Sequence, residues 1–387
     1  MKILMVLENQ FPDDERVEKE ALSLIKVGHE VHLLCATLKK ECVGNESYKG
    51  IMLHRVLSNS FLYNKAKIAC LRLPFYFMFW KKQVESLLQR ETFDVIHIHD
   101  LPLAEVGYWA KKKFGIKFVL DSHENYPYML DMAPYTKGIA GKLMYSFAAW
   151  KRYEREMITK ADVVITVCKE MSDRMNELVP RAYYHVDNTI STELFPRPEP
   201  HLKNEGKIRL LYVGGITYHR GLQNVIRGLA LIKDKTKYSL DIYGKGAYAG
   251  EIKDLVVELG LEEVVRFPGY LKFPAEAVKM CAYSLGVISN LRSVQTDCSS
   301  PNKIYQYFYY GLPVLVSDMV SVGNIVREYQ VGIVYKDNSP EDCARKLEEL
   351  TSMDLEDMSM RAHKLCLERY TWEESVKQLM AAYESIC

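Results

Sequence analysis

The sequence predicts an α/β protein with two successive doubly wound domains, each a parallel sheet covered by helices on both faces. Short apolar runs alternate with amphipathic stretches along nearly the whole chain, which is typical of parallel strands joined by crossover helices. The alternation stops once, at residues 189–206, where three prolines stand among charged residues. With 387 residues, the chain also exceeds one ordinary domain. We therefore expect a first domain over 1–195, a second over 203–369 and a terminal segment over 370–387.

The first half contains six predicted strands, each a short run of apolar residues. The first run, KILMVLE, covers residues 2–8 and is followed by a helix over 13–27. Val17, Ala21 and Leu24 share one face of that helix, which Gly28 ends. The other five strands are expected at 31–36, 51–56, 94–99, 118–123 and 162–167.

The second half repeats this pattern with six further strands. They are expected at 209–214, 239–244, 264–268, 285–289, 313–317 and 332–335. The helices are expected at 221–233, 248–259, 274–282, 301–310, 322–328 and 340–350, and one helical stretch over 354–386 closes the chain.

The run at residues 66–90 has two interpretations. It is apolar and aromatic, interrupted by Arg72 and Pro74, and too short to span a membrane. One interpretation is a buried helix kinked near Pro74. The other is weak contact of residues 60–82 with an anionic membrane surface, because the segment also carries basic residues. These are Lys65, Lys67, Arg72, Lys81 and Lys82.

Composition and charge exclude several functional classes. The net charge is +1, so no overall field favours nucleic acid. The nine cysteines include no C-x-x-C pair, and the chain opens directly on a predicted strand without a signal peptide. We therefore expect a cytoplasmic protein with reduced cysteines.

Polar groups follow two predicted strands of the first half. His97, His99 and Asp100 end one strand, and Asp121, His123 and Glu124 end the next. His97 and His99 should point to the same side, because side chains alternate along a strand. Ligands bind at the carboxyl ends of parallel strands, so this grouping favours a cleft. The H-x-H pair also suits a metal, but no third ligand is evident from the spacing, and we predict no metal site.

Two strand-to-helix turns of the second half suit a phosphate group. In the first, Gly214 and Gly215 allow close backbone approach, and Arg220 opens the next helix. In the second, Ser299 or Ser300 is expected to cap a helix with Pro301 at its first position, and Gly311 to end it before Pro313. Lys303 lies in the first turn of this helix, where it either meets an anion or is solvated.

Six motifs together resemble the family 4 glycosyltransferases of bacterial polysaccharide and surface-glycan synthesis. They are ERVEKEALSLIKVGHEV, DVIHIHDLP, DSHE, LYVGGITYHRGL, VRFPGYL and SSPNKIYQYFYYGLPVLVS, in the order of the family. The resemblance implies the GT-B fold, in which two Rossmann-like domains face each other across a cleft and the last helix returns to the first domain. It also implies retaining transfer from a nucleotide-sugar donor.

The resemblance assigns roles to single positions. It implies that His99 contacts the donor sugar with Asp100 beside it, and that Arg220 and Lys303 bind the diphosphate. The other donor-side positions are Gly215, Ile216, Pro268, Tyr270, Ser299, Ser300, Asn302 and Gln306. The acceptor side is expected to include Arg16, His123 and Glu124.

The chain departs from the family pattern at three positions. Cys298 and Gln306 replace two glutamates that the family often carries, and Gly215 stands where many relatives have an arginine. An amide at Gln306 still hydrogen-bonds hydroxyls but loses the charge-assisted bond of a carboxylate. We therefore expect Arg220 and Lys303 to be the main cations for the donor.

The expected function is retaining, metal-independent transfer of a sugar to a lipid-linked or growing surface glycan. No cofactor is expected beyond the nucleotide-sugar donor, and no nucleic-acid partner. The protein is expected in the cytoplasm, with peripheral contact at the inner face of the membrane. Two alternatives remain open: a nucleotide-sugar epimerase or hydrolase on the same fold, and a catalytically weak scaffold that binds nucleotide sugars.

Overall fold

A computed structural model describes residues 1–198 and 206–387, without the side chains of residues 64, 65 and 140. The described chain divides into two compact units. The N-terminal unit comprises Met1–Val186 together with Val376–Cys387, and the C-terminal unit comprises Asp187–Ser375. The predicted linker at 189–206 lies partly on residues 199–205, outside the described residues.

The N-terminal unit contains an eight-stranded sheet in the order β3-β4-β2-β1-β5-β6-β7-β8. Its neighbours are parallel except for β3, which pairs antiparallel with β4 at the sheet edge. The strands are β1 Lys2–Leu7, β2 Glu30–Thr37, β3 Gly44–Tyr48, β4 Ile51–Leu57, β5 Val95–His99, β6 Lys117–Ser122, β7 Val163–Thr166 and β8 Tyr184–His185.

Eight α-helices lie in the Met1–Val186 part of this unit. Asp14 caps the first of them by accepting a hydrogen bond from the Val17 backbone N–H at 3.2 Å, and the helix buries Val17, Ala21 and Leu24. The helices are α1 Glu15–Lys26, α2 Phe75–Leu88, α3 Ala104–Phe114, α4 Tyr126–Met132, α5 Pro134–Lys137, α6 Ile139–Met144, α7 Phe147–Lys160 and α8 Lys169–Leu178.

The C-terminal unit contains a six-stranded parallel sheet in the order β11-β10-β9-β12-β13-β14. The strands are β9 Ile208–Val213, β10 Tyr238–Tyr243, β11 Val265–Gly269, β12 Leu285–Ile288, β13 Val314–Ser317 and β14 Gly332–Tyr335. The remaining helices are α9 Leu222–Leu231, α10 Ala249–Glu258, α11 Val294–Asp297, α12 Lys303–Tyr309, α13 Val320–Tyr329, α14 Pro340–Glu349, α15 Leu355–Arg369 and α16 Trp372–Glu384.

Three local expectations were wrong. The helix expected to kink near Pro74 instead begins at Phe75, after a π-helical turn at Leu62–Ala66. The final helical stretch is two helices, because Thr371 bridges to Ile190 and the Trp372 backbone N–H bonds the Ile190 carbonyl at 2.7 Å. The helix expected over 274–282 is a 3-10 helix over Ala277–Ala282.

The ends of the two units differ from the expected boundaries at 195 and 370. Ile190 and Phe195 pack in an apolar cluster of the C-terminal unit, which therefore begins before the prolines. Residues 376–387 group with the N-terminal unit, where the Tyr383 hydroxyl bonds His97 Nδ1 at 2.8 Å. Among the described residues, no helix has the length and apolar character needed to cross a membrane.

Candidate functional site

The N-terminal unit gathers polar side chains at the carboxyl ends of β5 and β6. The His97 and His99 rings stack with centroids 4.5 Å apart, which confirms that the two side chains point the same way. His123, just beyond β6, brings its Nε2 to 3.3 Å from His99 Nδ1. All three imidazoles thus lie in one cluster.

Arg16 on α1 holds this cluster together. Its guanidinium bonds both oxygens of Asp121, at 2.9 and 3.3 Å, and pairs with Glu20 at 3.0 Å. All three side chains are buried. Burial opposes the charge of Arg16, yet Asp121 and Glu20 raise its pKa above the ordinary value. Arg16 therefore serves the interior of this unit, although it was expected on the acceptor side.

Burial and the neighbouring charge of Asp121 raise the pKa of Glu20 to about 8. Burial also opposes ionisation of Asp121, but Arg16 and His123 hold its pKa well below the usual range. Glu20 was not among the residues predicted from the sequence. Its spacing of four residues from Arg16 on one helix face was the available signal.

His123 is the imidazole of this cluster that solvent reaches. Its side chain is 13% exposed, whereas that of His99 is completely buried. Contact of His99 with the donor sugar therefore stays a prediction, and in this structure its ring is completely buried. Glu124, which follows His123, is exposed, as a ligand-facing residue requires.

Asp100 stands beside His123. Its backbone has φ +69°, an uncommon conformation for a residue with a side chain. Its Oδ1 accepts a bond from the His123 backbone N–H at 3.2 Å, and its Oδ2 lies 4.0 Å from His123 Nδ1. Burial lowers the pKa of His123, but the charges of Asp121 and Asp100 outweigh it and raise the pKa to about 9.

The same cluster has the side chains of a metal site. One ligand atom from each of four residues lies within 4.8 Å of the others; they are Glu20, His97, His99 and Asp121. The structure thus adds carboxylate partners to the H-x-H pair, where none was evident from the spacing. However, Arg16 already supplies positive charge to both carboxylates, so these residues do not fit a cation, and we assign no metal here.

In the C-terminal unit, Lys303 lies beside the glycine turn that follows β9. A Cβ built on Gly214, whose φ is +141°, would be 3.5 Å from Lys303 Nζ. The ammonium group lies 4.0 Å from the centre of the Tyr212 ring. The two turns expected to share a phosphate are therefore adjacent in the fold.

Lys303 is buried, and its Nζ has no hydrogen-bond or ion-pair partner among residues 1–198 and 206–387. Burial, and then the charge of Arg220, lower its pKa well below the ordinary value. Lys303 is therefore not solvated, which was one of its two expected states. A buried cation without a counter-charge is costly, so the site suits an anion.

Arg220 ends a short 3-10 turn at Tyr218–Arg220 and is half-buried. Its carbonyl accepts a bond from the Ser289 hydroxyl at 2.7 Å. The next residue, Gly221, has φ +67°, and a Cβ there would lie 1.8 Å from the Ser289 carbonyl oxygen. Glycine is thus required for Arg220 to approach the end of β12.

The start of α12 differs from expectation. The helix begins at Lys303, with Asn302 at the cap position and no side-chain cap. Neither serine caps it, because the Ser299 hydroxyl bonds the Thr296 carbonyl at 3.0 Å and the Ser300 hydroxyl bonds the Tyr305 hydroxyl at 2.6 Å. Gly311 does follow the helix with φ +66°, as predicted.

The other donor-side positions fall into two groups. Gln306 is half-buried, and Gly215, Pro268, Tyr270 and Asn302 are exposed, so all remain open to a ligand. Lys245 lies 5.4 Å from the centre of the Tyr270 ring. Ile216 is different: its side chain is 1% exposed and packs in the core, so it offers no side-chain atom to a ligand in this structure, and its place on the donor side stays a prediction.

Each half of the chain matches the model of a known protein family. The model of Glycosyltransferase Family 4 matches residues 16–193, and the model of Glycosyl transferases group 1 matches residues 196–364. N-acetyl-alpha-D-glucosaminyl L-malate synthase of Bacillus anthracis is 25% identical over 66% of this chain and 64% of that protein. Uncharacterized glycosyltransferase MJ1178 of Methanocaldococcus jannaschii is 23% identical over 88% of this chain and 86% of that protein.

Solved structures share the fold at low identity. Sucrose-phosphate synthase from Thermosynechococcus elongatus is 14% identical, with a TM-score of 0.78 over 100% of this chain and 99% of that chain. Anabaena HepE in complex with UDP is 13% identical, with a TM-score of 0.71 over 100% of both chains. With both family models matched in succession and a parallel α/β sheet in each unit, the chain belongs to the family 4 glycosyltransferases of the GT-B fold.

Proposed function

We propose that this glycosyltransferase moves a sugar from a nucleoside-diphosphate sugar to a hydroxyl group of a lipid-linked or growing surface glycan. The transfer retains the anomeric configuration and needs no metal ion. The C-terminal unit binds the diphosphate of the donor, and the N-terminal unit supplies His123 and Asp100 to a sugar hydroxyl.

One observation carries the proposal: Lys303 is a buried cation without an anionic partner in the described part of the chain. A diphosphate would supply the missing charge. Arg220 is near enough to lower the pKa of Lys303, so the two cations would share one polyanion. HepE, a structural relative, was solved with UDP bound, which makes UDP the first nucleotide to test.

These cations also suit the chemical step. The bond between the anomeric carbon and the diphosphate breaks, and negative charge grows on the leaving phosphate. Fixed cations at that phosphate stabilise the transition state more than the ground state. They perform the task that a divalent metal performs in other enzymes, which is the reason for proposing metal independence.

Binding and transfer are tested with a panel of nucleoside diphosphates and their sugars. We expect UDP, ADP or GDP to raise the melting temperature by mass action, and a chelator to leave the transfer rate unchanged. Absence of binding across the panel would contradict the proposal. Conversion of a donor sugar without any acceptor would instead indicate an epimerase or hydrolase.

We further propose peripheral contact with the cytoplasmic face of a membrane through residues 60–82, with the protein otherwise in the cytoplasm. Phe61, Phe75 and Met78 expose 50%, 42% and 65% of their surface, and Lys82 is exposed on the same helix as the latter two. Apolar side chains with adjacent lysines suit an anionic bilayer.

Flotation with phosphatidylglycerol vesicles tests this contact. We expect the wild type to float, and the double variant Phe75→Ser, Met78→Ser to float less. Met360→Ser is the matched control, because Met360 is 61% exposed in the C-terminal unit. If all three proteins floated equally, or if none of them floated, the proposed contact would be contradicted.

A further inference from the structure

A second cluster of titratable side chains lies at the amino ends of the strands in the N-terminal sheet. Lys2 and Glu30 are the first residues of β1 and β2, and they are paired across these two strands. His32 follows on β2, and Glu91 lies just beyond α2. One ligand atom from each of Glu30, His32 and Glu91 lies within 4.8 Å of the others. Sugar transfer at the carboxyl ends of the strands makes no use of these residues.

A chain of hydrogen bonds fixes the orientation of the His32 ring. Asn45 Oδ1 lies 2.9 Å from His54 Nδ1, and an amide oxygen only accepts, so His54 Nδ1 carries a proton. Burial and the charge of His32 lower the pKa of His54 to about 4, so this ring is neutral and its Nε2 accepts. His32 Nδ1, which is 2.9 Å away, therefore donates to it. The other nitrogen of His32, Nε2, is left to bind either a second proton or a metal ion.

Two carboxylates lie next to that nitrogen. Glu30 Oε1 is 2.8 Å from His32 Nε2, and Glu91 Oε2 is 3.8 Å from it. Two ligand atoms of a tetrahedral zinc ion, each about 2.1 Å from the metal, are about 3.4 Å apart. The His32 ring is buried, whereas the Glu30 and Glu91 side chains are 60% and 40% exposed. An ion can therefore enter from solvent and meet an imidazole that is already oriented.

We propose that Glu30, His32 and Glu91 bind one divalent transition-metal ion of the zinc type, with water as the fourth ligand. Imidazole and carboxylate groups are both zinc ligands. The ion takes the place of the proton on His32 Nε2, which passes to solvent. It joins the start of β2 to the segment after α2, so it stabilises the fold and takes no part in sugar transfer. The sequence did not indicate this site, since Glu91 is distant from the other two ligands along the chain.

In the structure, the Lys2 ammonium lies between the two carboxylates. Its Nζ is 2.8 Å from Glu30 Oε1 and 2.6 Å from Glu91 Oε2. Lys2 differs from Arg16, because the Arg16 guanidinium is buried and also bonds a backbone carbonyl at 2.6 Å, whereas the Lys2 side chain is 24% exposed. Lys2 can therefore turn toward solvent when an ion binds. Charge stays balanced, because the two charges of the ion replace those of Lys2 and of the His32 proton.

Isothermal titration calorimetry of the full-length protein with zinc chloride tests the proposal. We expect one saturable site in the wild type. Glu91→Gln should bind about tenfold more weakly or worse, since loss of a ligand costs at least as much as loss of an outer partner. Glu91 is 40% exposed, so this variant keeps the test valid even if His32→Gln does not fold. Lys2→Met should bind zinc more tightly, because the ion no longer displaces an ammonium group.

The matched control is His185→Gln, which removes a partly exposed histidine of the same unit and should bind zinc as the wild type does. Zinc should also raise the melting temperature of the wild type by mass action, but not that of Glu91→Gln. Absence of zinc binding by the wild type would overturn the proposal, as would equal affinity in the wild type, Glu91→Gln and Lys2→Met. Failure of nucleotide binding would contradict the proposed function and leave this site intact.

Discussion

The two units differ in whether a buried basic side chain has a counter-charge. In the N-terminal unit, Arg16 pairs with Glu20 and Asp121, so the buried cation carries its own counter-charges. In the C-terminal unit, Lys303 is also buried but has no such partner in the described ranges 1–198 and 206–387. A buried charged side chain without a partner destabilises the fold, and such residues are retained where they serve a function. The buried charges around Arg16 are thus neutralised within the protein, whereas the site of Lys303 lacks an anion that a ligand could supply.

Removing Arg16 should have the largest effect on stability. We expect Arg16→Met to lower the free energy of unfolding by about 3–5 kcal/mol, because two buried carboxylates lose their partner. Thermal or urea unfolding measures the effect. Arg155→Met, an exposed arginine of the same unit, is the control, with an expected change within about 0.5 kcal/mol. Equal stability of the two variants would show that the pairing is not structural.

The corresponding change in the C-terminal unit should have the opposite effect on stability. Lys303→Met removes a buried amine that has no partner for its charge, so we expect an unchanged or higher melting temperature. Its affinity for a nucleoside diphosphate should fall about 10–100-fold, which is the value of a charge-assisted bond of about 1.5–3 kcal/mol. Lys279→Met is the control, since Lys279 is exposed in the same unit. A strongly destabilised Lys303→Met would assign that lysine to the fold.

The charge state of the N-terminal cluster should make the stability of the protein depend on pH. The pKa of His123 is raised in the folded state to about 9, so its stabilising contribution is complete below its ordinary value and is lost as pH rises through 9. The raised pKa of Glu20, about 8, acts in the same direction. We expect the free energy of unfolding of the wild type to fall between pH 6.5 and 9 by on the order of 5 kcal/mol, about 3 from His123 and about 2 from Glu20.

His123→Gln should show a shallower decline over the same pH range, because one of the two titrating groups is absent. Differential scanning calorimetry at closely spaced pH values provides the comparison. A wild-type stability that rises with pH in this range would contradict the assigned charge of the N-terminal cluster.

The smallest expected effect concerns Gln306, which is half-buried at the second phosphate turn. Gln306→Glu restores the residue that the family often carries, and a carboxylate accepts stronger bonds from ribose hydroxyls. We expect a gain of about 0.5–1.5 kcal/mol in nucleotide binding, roughly two- to tenfold in affinity. Weaker binding in a calorimetric titration would show that the site is adapted to the amide.

Much of the fold follows from local sequence. Buried parallel strands are continuous apolar runs, so β1, β5 and β13 were predicted within two residues at each end. The edge strand β3 was missed, because its sequence GNESY is polar and exposed and pairs through the backbone. The π-helical turn at Leu62–Ala66 was also missed, because it precedes the apolar run at residues 66–90 in which a helix was expected.

The sequence predicted where the candidate site lies, but not which of its side chains are buried. Strand ends and glycine turns located the His99 and Lys303 regions, because parallel strands bring their carboxyl ends to one edge. The sequence did not reveal which imidazole is exposed, since that depends on how α1 and the residues after β6 pack over the strand ends. Nor did it show Ile216 in the core, because the residue after a glycine turn faces either side.

The most direct test of the central claim is proton uptake on nucleotide binding. The nucleoside diphosphate selected by the panel is titrated at several pH values between 7 and 10, in buffers of different ionisation enthalpy, into the wild type and Lys303→Met. Because the pKa of free Lys303 is well below its ordinary value and a diphosphate raises it, we expect the wild type to take up protons on binding. Lys303→Met should bind more weakly and without this uptake. Equal affinity and equal proton uptake in both proteins would contradict the account.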